Sequence, residues 1–167
     1  KSVHTSIDEV QANWKVLVEN YSECLHCSVV HPELCEAVPV YKTGKTTQDE
    51  RPDWGASLAE GKTAISFAQD ENLPLIASMD DMDDYSVFGA YVYPNMLIDV
   101  MPTCVAVTTY IPRSATHTTV VTNYLFPAEV ADSQHRPDVD PAIPKDHHLW
   151  RPLLGLREIE VGQGGGP

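Results

Sequence analysis

The stretch ANWKVLVENYSECLHCSVVHP, residues 12–32, carries the reading from which the rest follows. Trp14, Leu17, Val18, Tyr21, Cys24 and Leu25 recur at spacings of three and four. That spacing predicts a helix from 12 to about 30 with one apolar face. Glu19, Glu23 and His26 fall on the opposite face. Pro32 disfavours helical geometry at His31, so the helix is expected to end or bend there. His26 and His31 are five residues apart, about 140° around the axis of a continuous helix, and side chains so placed do not converge on one ion. A bend before His31 lets the second imidazole swing back toward the first. Neutral imidazole is a good ligand for iron, zinc, copper and nickel. The same residues also fit a solvated helix face with His26 paired to Glu19 or Glu23, and a chain with 7 histidines makes such a pair easy by chance.

Outward from this helix, residues 35–61 read as a loop, broken by Pro39, Gly44, Pro52 and Gly55. Strand signals follow. Residues 63–67 form a short candidate and 85–93 a longer one, ended by Pro94-Asn95. Residues 96–101 come next. Residues 105–111 alternate β-branched and small side chains until Pro112, which is expected to stop the strand. Residues 118–126 alternate again, with Thr118, Val120, Thr122 and Tyr124 on one side. Strands joined by short turns predict an antiparallel meander, and a helix followed by such a sheet predicts an α+β domain.

The chain has 167 residues, 43% hydrophobic and 21% charged, enough for one domain with its own core. Its net charge of -13 repels phosphate backbones, which argues against a nucleic-acid partner. The run Asp80, Asp81, Asp83 and Asp84 reads as a solvated loop. Nothing approaches the roughly 20 apolar residues of a membrane span, and residues 1–10 are too polar for a signal peptide. A cytoplasmic protein with reduced cysteines is the expectation. Cys24 and Cys27 form a C-x-x-C, a pattern shared by redox dithiols and half zinc sites. No second C-x-x-C and no preceding strand accompany it, so both cysteines are read as small, half-buried helix residues.

Asn13-Trp14-Lys15, Glu19-Asn20-Tyr21, Glu23-Cys24-Leu25-His26-Cys27 and Val30-His31-Pro32 occur in an order that resembles the catalytic domain of Rieske non-haem iron ring-hydroxylating oxygenase α-subunits. The family pattern of an acid, two residues, His, four residues, His and then Pro is matched by Glu23, His26, His31 and Pro32. Trp54-Gly55, Tyr93-Pro94-Asn95 and Tyr124-Leu125-Phe126-Pro127 extend the likeness over residues 12–127. The resemblance implies a helix-grip (Bet v 1/START-like) fold, an antiparallel sheet with packed helices and a substrate cavity. It implies that His26 and His31 are two ligands of a 2-His-1-carboxylate triad on Fe(II), with positions open for dioxygen. Glu23 would link this iron to the Rieske cluster of a neighbouring subunit, a task suited to a carboxylate that only accepts hydrogen bonds. Asn20 would lie near the metal. Small organic substrate, dioxygen, a reductase or ferredoxin, and a homotrimer complete the implied partners. Hydroxylation or demethylation is the implied reaction, with the branch acting on quaternary ammonium compounds nearer than the naphthalene-type branch.

Two departures stand out. A Rieske 2Fe-2S cluster needs a C-x-H and a C-x-x-H ligand pair. Cys24-Leu25-His26 cannot serve because His26 is already assigned, and no C-x-x-H occurs, so residues 1–167 are read as one catalytic-type domain lacking the Rieske domain. The family's C-terminal Asp context is also absent. Asp146, followed by His147 and His148, is the best-placed third ligand. Asp138, Asp140, Glu158 and Glu160 match the context no better. Residues 128–167 are atypical, Pro- and Asp-rich and then Gly-rich, which suggests truncation or a frame shift after about Asp140. Two alternatives stand beside the oxygenase. One is a non-catalytic small-molecule-binding helix-grip module. The other is a zinc hydrolase using His26 and His31, though no H-E-x-x-H motif supports it.

Overall fold

The computed structural model describes residues 1–47, 55–62, 73–76 and 86–132. In chain order these form β1 (Ser2–Val10), α1 (Trp14–Tyr21), α2 (Cys27–Val30), α3 (Pro32–Ala37), a 3-10 turn (Pro39–Thr43), β2 (Ala56–Ser57), β3 (Ser86–Val92), β4 (Met96–Val100), β5 (Val105–Ser114), β6 (His117–Leu125) and α4 (Ala128–Ala131). The strands make one antiparallel sheet in the order β1-β6-β5-β4-β3-β2. This is the expected α+β arrangement, with β3 to β6 running as the expected meander. No helix among the described residues is long and apolar enough to cross a membrane.

Period-2 patterning sets which sheet face is covered. Ala106, Thr108 and Tyr110 of β5 are buried and pair with Tyr124, Thr122 and Val120 of β6. The hydroxyls of Thr108 and Thr122 meet at 3.0 Å, so the polar pair is satisfied inside the sheet. On this face Leu17 of α1 packs among Val10, Leu97, Tyr110 and Val120. Burial of a leucine side chain contributes about 2 kcal/mol. A second cluster joins Ala37 and Val38, at the end of α3, to Val87, Ala106, Tyr124 and Phe126 on the same face. The helices therefore lie across one side of the sheet, and their connections hang over β3 and β4.

Asn13 fixes where α1 starts. Its side-chain oxygen accepts the Lys15 N–H at 3.0 Å, while its Nδ2 donates to the Ala115 carbonyl in the β5–β6 hairpin. Thr118 adds a buried bond to the Ala12 carbonyl at 2.8 Å.

Several expectations are corrected. The single helix over 12–30 is instead α1, a turn and α2. Ser22 caps α1: its N–H is shared between the Val18 and Glu19 carbonyls, its hydroxyl also donates to Val18, and the Leu25 N–H that would continue the helix goes to the Glu23 side chain. Residues 1–10, whose polar composition hid them, form edge strand β1 against β6. Pro112 does not stop β5. Pairing with β4 ends at Thr109, so Pro112 sits where β6 is the remaining strand neighbour and where the register shifts. The loop expected over 35–61 contains the end of α3, the 3-10 turn and β2. Gly44 closes that turn at φ 79°, a conformation that favours glycine. The strand expected at 63–67, the Asp80–Asp84 run, Trp54, and everything after residue 132, including Asp146, lie outside the described residues.

Candidate active site

α1 delivers Asn20 and Tyr21 to the end of the helix layer, and the turn after Ser22 carries Glu23 back toward His26. One Glu23 oxygen accepts the Leu25 N–H at 2.6 Å and the other meets His26 Nδ1 at 2.6 Å. Desolvation pushes the Glu23 carboxyl up, but the His26 and Leu25 bonds and the His26 charge outweigh it and hold the group below the usual carboxylate range. With Nδ1 committed to Glu23, Nε2, which lies 4.0 Å from the Cys27 sulfur, is the His26 atom that could serve a ligand.

His31 is the joint between α2 and α3, at φ -129° and ψ 60°, outside helical geometry. Pro32 imposes this while starting α3 itself, where its missing N–H costs nothing. The bend turns the second imidazole back as expected. The two rings lie 5.2 Å apart, edge to face at 82°. His31 is buried. Burial first, and the His26 charge second, lower its pKa against the opposing effect of Glu33, so the neutral, ligating form is favoured.

The cysteines depart from the expectation. Cys24 and Cys27 are fully buried and joined as a disulfide, with Cα atoms 4.9 Å apart. The end of α1 at Ser22 places Cys24 in the turn rather than on a continuing helix, and both sulfurs face inward beside Cys35. Cys35 and Cys104 are buried and lie outside that disulfide.

The two histidines open onto a cavity of about 310 Å³, between the turn 22–26, α2 and α3 above and the sheet face of β3 and β4 below. Asn20, Tyr21, Glu23, Leu34, Tyr41, Tyr91 and Asp99 share its lining. That size lies at the small end for ligand pockets. The sequence reading missed the floor of this cavity. The Tyr21 hydroxyl donates to Asp99 Oδ1 at 2.5 Å. Asp99 pairs across the ladder with Gly89, and a side chain there would meet the Tyr21 hydroxyl. Burial pushes Asp99 up to about 6, against the opposing Tyr21 bond. Burial, then the Asp99 charge, pushes Tyr41 up to about 12. An acid between Ile98 and Val100 in an otherwise apolar strand was the available signal.

The arrangement brings together Asn20, Glu23, His26 and His31 of the residues singled out in the sequence. Among the described residues no three His, Cys, Asp or Glu side chains cluster tightly enough for a metal. The two imidazoles fit such an ion as a pair, since one is oriented by a carboxylate and the other is held neutral.

Residues 1–151 match the model of the ring hydroxylating alpha subunit (catalytic domain). The carnitine monooxygenase oxygenase subunit of Acinetobacter baumannii is 49% identical over 96 residues, covering 58% of this chain and 23% of that protein. The glycine betaine monooxygenase oxygenase subunit of Chromohalobacter salexigens is 52% identical over 31 residues, 19% of this chain and 7% of that one. The match thus spans about a quarter or less of the length of these curated relatives. A quaternary ammonium Rieske monooxygenase, studied for carnitine oxidation by gut microbiota and inter-subunit electron transfer, superimposes with a TM-score of 0.60 at 21% identity, covering 86% of this chain and 34% of that one. The inhibitor complex of the quaternary ammonium Rieske monooxygenase CntA gives 0.55 at 20% identity, covering 84% and 34%. At those identities the structural likeness speaks to the fold alone.

Proposed function

The chain belongs to the ring hydroxylating alpha subunit (catalytic domain) family, and from that premise we propose that it is the catalytic part of a mononuclear iron oxygenase acting on a small quaternary ammonium compound. The observation that carries the reading is the His26–His31 pair, 5.2 Å apart over a cavity, with Glu23 bonded to Nδ1 of the first ring. His26 and His31 would hold Fe(II), and Asp146, the best-placed acid although it does not match the family's Asp context, is the candidate for the third ligand. The chemistry supplied at such a centre is reductive activation of dioxygen and insertion of oxygen into a substrate C–H bond. The chain's own residues have three tasks. Glu23 fixes the His26 tautomer and offers a carboxylate through which a Rieske cluster of a neighbouring subunit can be coupled. Asn20 lines the approach to the histidines. The apolar lining limits water around the substrate.

The substrate class is supported by the relatives, named for carnitine and glycine betaine. The electrons would come from a Rieske 2Fe-2S cluster fed by a reductase or ferredoxin, within a homo-oligomer such as a trimer. The test is anaerobic Fe(II) loading of the purified chain beside His26→Ala and His31→Ala. About one iron per chain, lost in both variants, is expected. Full occupancy insensitive to both substitutions overturns the reading.

A further inference from the structure

Asp99 has a carboxylate in a small cavity whose lining residues include neither Lys nor Arg among those described. One of its oxygens accepts from the Tyr21 hydroxyl at 2.5 Å. A hydroxyl is neutral, so it satisfies a lone pair without balancing the charge. A half-buried carboxylate with no Lys or Arg beside it is relieved by protonation or by a cation, and the cation that His26 and His31 would hold lies at the histidine end of the same cavity. The surroundings favour one kind of cation. Tyr21, Tyr41 and Tyr91 line the same cavity, and tyrosine rings attract the diffuse positive face of an alkylated ammonium. Tyr41 is half-buried and its phenol is held protonated, pushed up to about 12 by burial first and by Asp99 second, so it adds no negative charge to compete.

We infer that Asp99, held by Tyr21 on the cavity floor, is the specificity-determining residue that receives the quaternary ammonium head of the substrate. The inference rests on reading this cavity as the substrate site of the proposed oxygenase. The head group carries no N–H, so its attraction to Asp99 is through charge and its methyl groups pack on the tyrosine rings. A neutral molecule of the same shape gains the packing without the charge.

The experiment compares choline with its carbon isostere 3,3-dimethylbutan-1-ol by calorimetry, on the full chain as purified and again after chelation. Wild type is expected to prefer choline by roughly thirtyfold or more, as for an ion pair shielded from water. Asp99→Asn removes the preference and leaves the isostere bound as well or better, while Asp99→Glu retains part of it. Wild type that binds both probes equally, or neither, overturns the inference, and so does a folded Asp99→Asn that keeps the preference. The wild-type comparison stands even where a variant does not fold. Iron occupancy of the same samples reports on His26 and His31 separately: a choline preference that survives chelation in a chain that never held iron removes the metal reading alone.

Discussion

The Tyr21 hydroxyl occupies the space that a side chain at Gly89 would need: a Cβ at Gly89 would come within 2.6 Å of it, and within 3.4 Å of Asp99 Oδ1. The bare backbone of β3 is thus a condition for the Tyr21–Asp99 bond. Gly89→Ala is expected to push Tyr21 off the carboxylate and destabilise the fold by about 1–3 kcal/mol. In a Tyr21→Phe background the hydroxyl is gone, and the same substitution should cost about 1 kcal/mol less. Urea unfolding of the four proteins in the cycle measures both quantities. Strict additivity would show that the glycine serves some other purpose.

Asp99 gives a pH dependence of known sign. Its carboxyl is raised from 3.8 to about 6, burial being the larger cause and the Tyr21 bond opposing it. The folded state therefore holds a proton that the unfolded state has released between those values. The associated stability is fully present below pH 3.8 and is lost as pH rises through about 6. Tyr21, Tyr41 and Tyr110, the phenols coupled to it, are all pushed upward and stay protonated throughout this window. Asp99→Asn should accordingly be stabilising relative to wild type by up to about 3 kcal/mol at pH 8, with the gain vanishing near pH 4. Parallel melts of the two proteins from pH 4 to pH 8 read the difference. A constant offset would mean that Asp99 titrates normally.

The two halves of this site differ in how far the sequence exposes them. Glu23, His26, His31 and Pro32 are close in the chain, and a single local rule, the restriction before proline, is enough to bring the rings together. Tyr21 and Asp99 are 78 residues apart and meet because β4 lies under the end of α1. No periodicity in either segment encodes that meeting. The meander from β3 to β6 was legible for the same local reason, being alternation punctuated by turns. β1 was not, because an edge strand can satisfy its backbone against one neighbour while carrying polar side chains. Pro112 misled because a proline's cost depends on which strands flank it. The helix boundary was misplaced because apolar spacing continues through Cys24 and Leu25 while the Glu23 side chain takes the Leu25 N–H that would have propagated the helix.

Asn13 holds the whole helix layer in register with the β5–β6 hairpin, through its cap on Lys15 and its bond to Ala115. Asn13→Ala loses both. The cap alone is worth about 1 kcal/mol, and the bond to the hairpin adds about as much again. Asn13→Asp keeps the acceptor and should recover the cap portion. Chemical denaturation separates the two variants, and Fe(II) stoichiometry at saturating metal should not change in either. Equal losses in the two would assign the effect to the hairpin contact alone.

Glu23 joins the turn to the proposed metal centre, so its removal should be felt in metal affinity beyond any change in stability. Its carboxylate orients His26 through Nδ1 and holds the turn through the Leu25 N–H. A carboxylate behind a ligating imidazole raises the ligand's basicity, and losing it typically weakens metal binding by about 10–100-fold. Glu23→Ala should show that loss in anaerobic Fe(II) titration. Glu23→Gln, which keeps an oxygen acceptor but no charge, should fall between it and wild type. The sign with pH follows from the depressed Glu23 carboxyl: its bonding is in place above the unfolded-state value and disappears as the pH falls through the lower folded-state one. The gap in affinity between wild type and Glu23→Gln should therefore narrow toward acid. An Fe(II) affinity unchanged in Glu23→Ala would leave Glu23 a turn residue only, and His26 without the support that makes it a credible ligand.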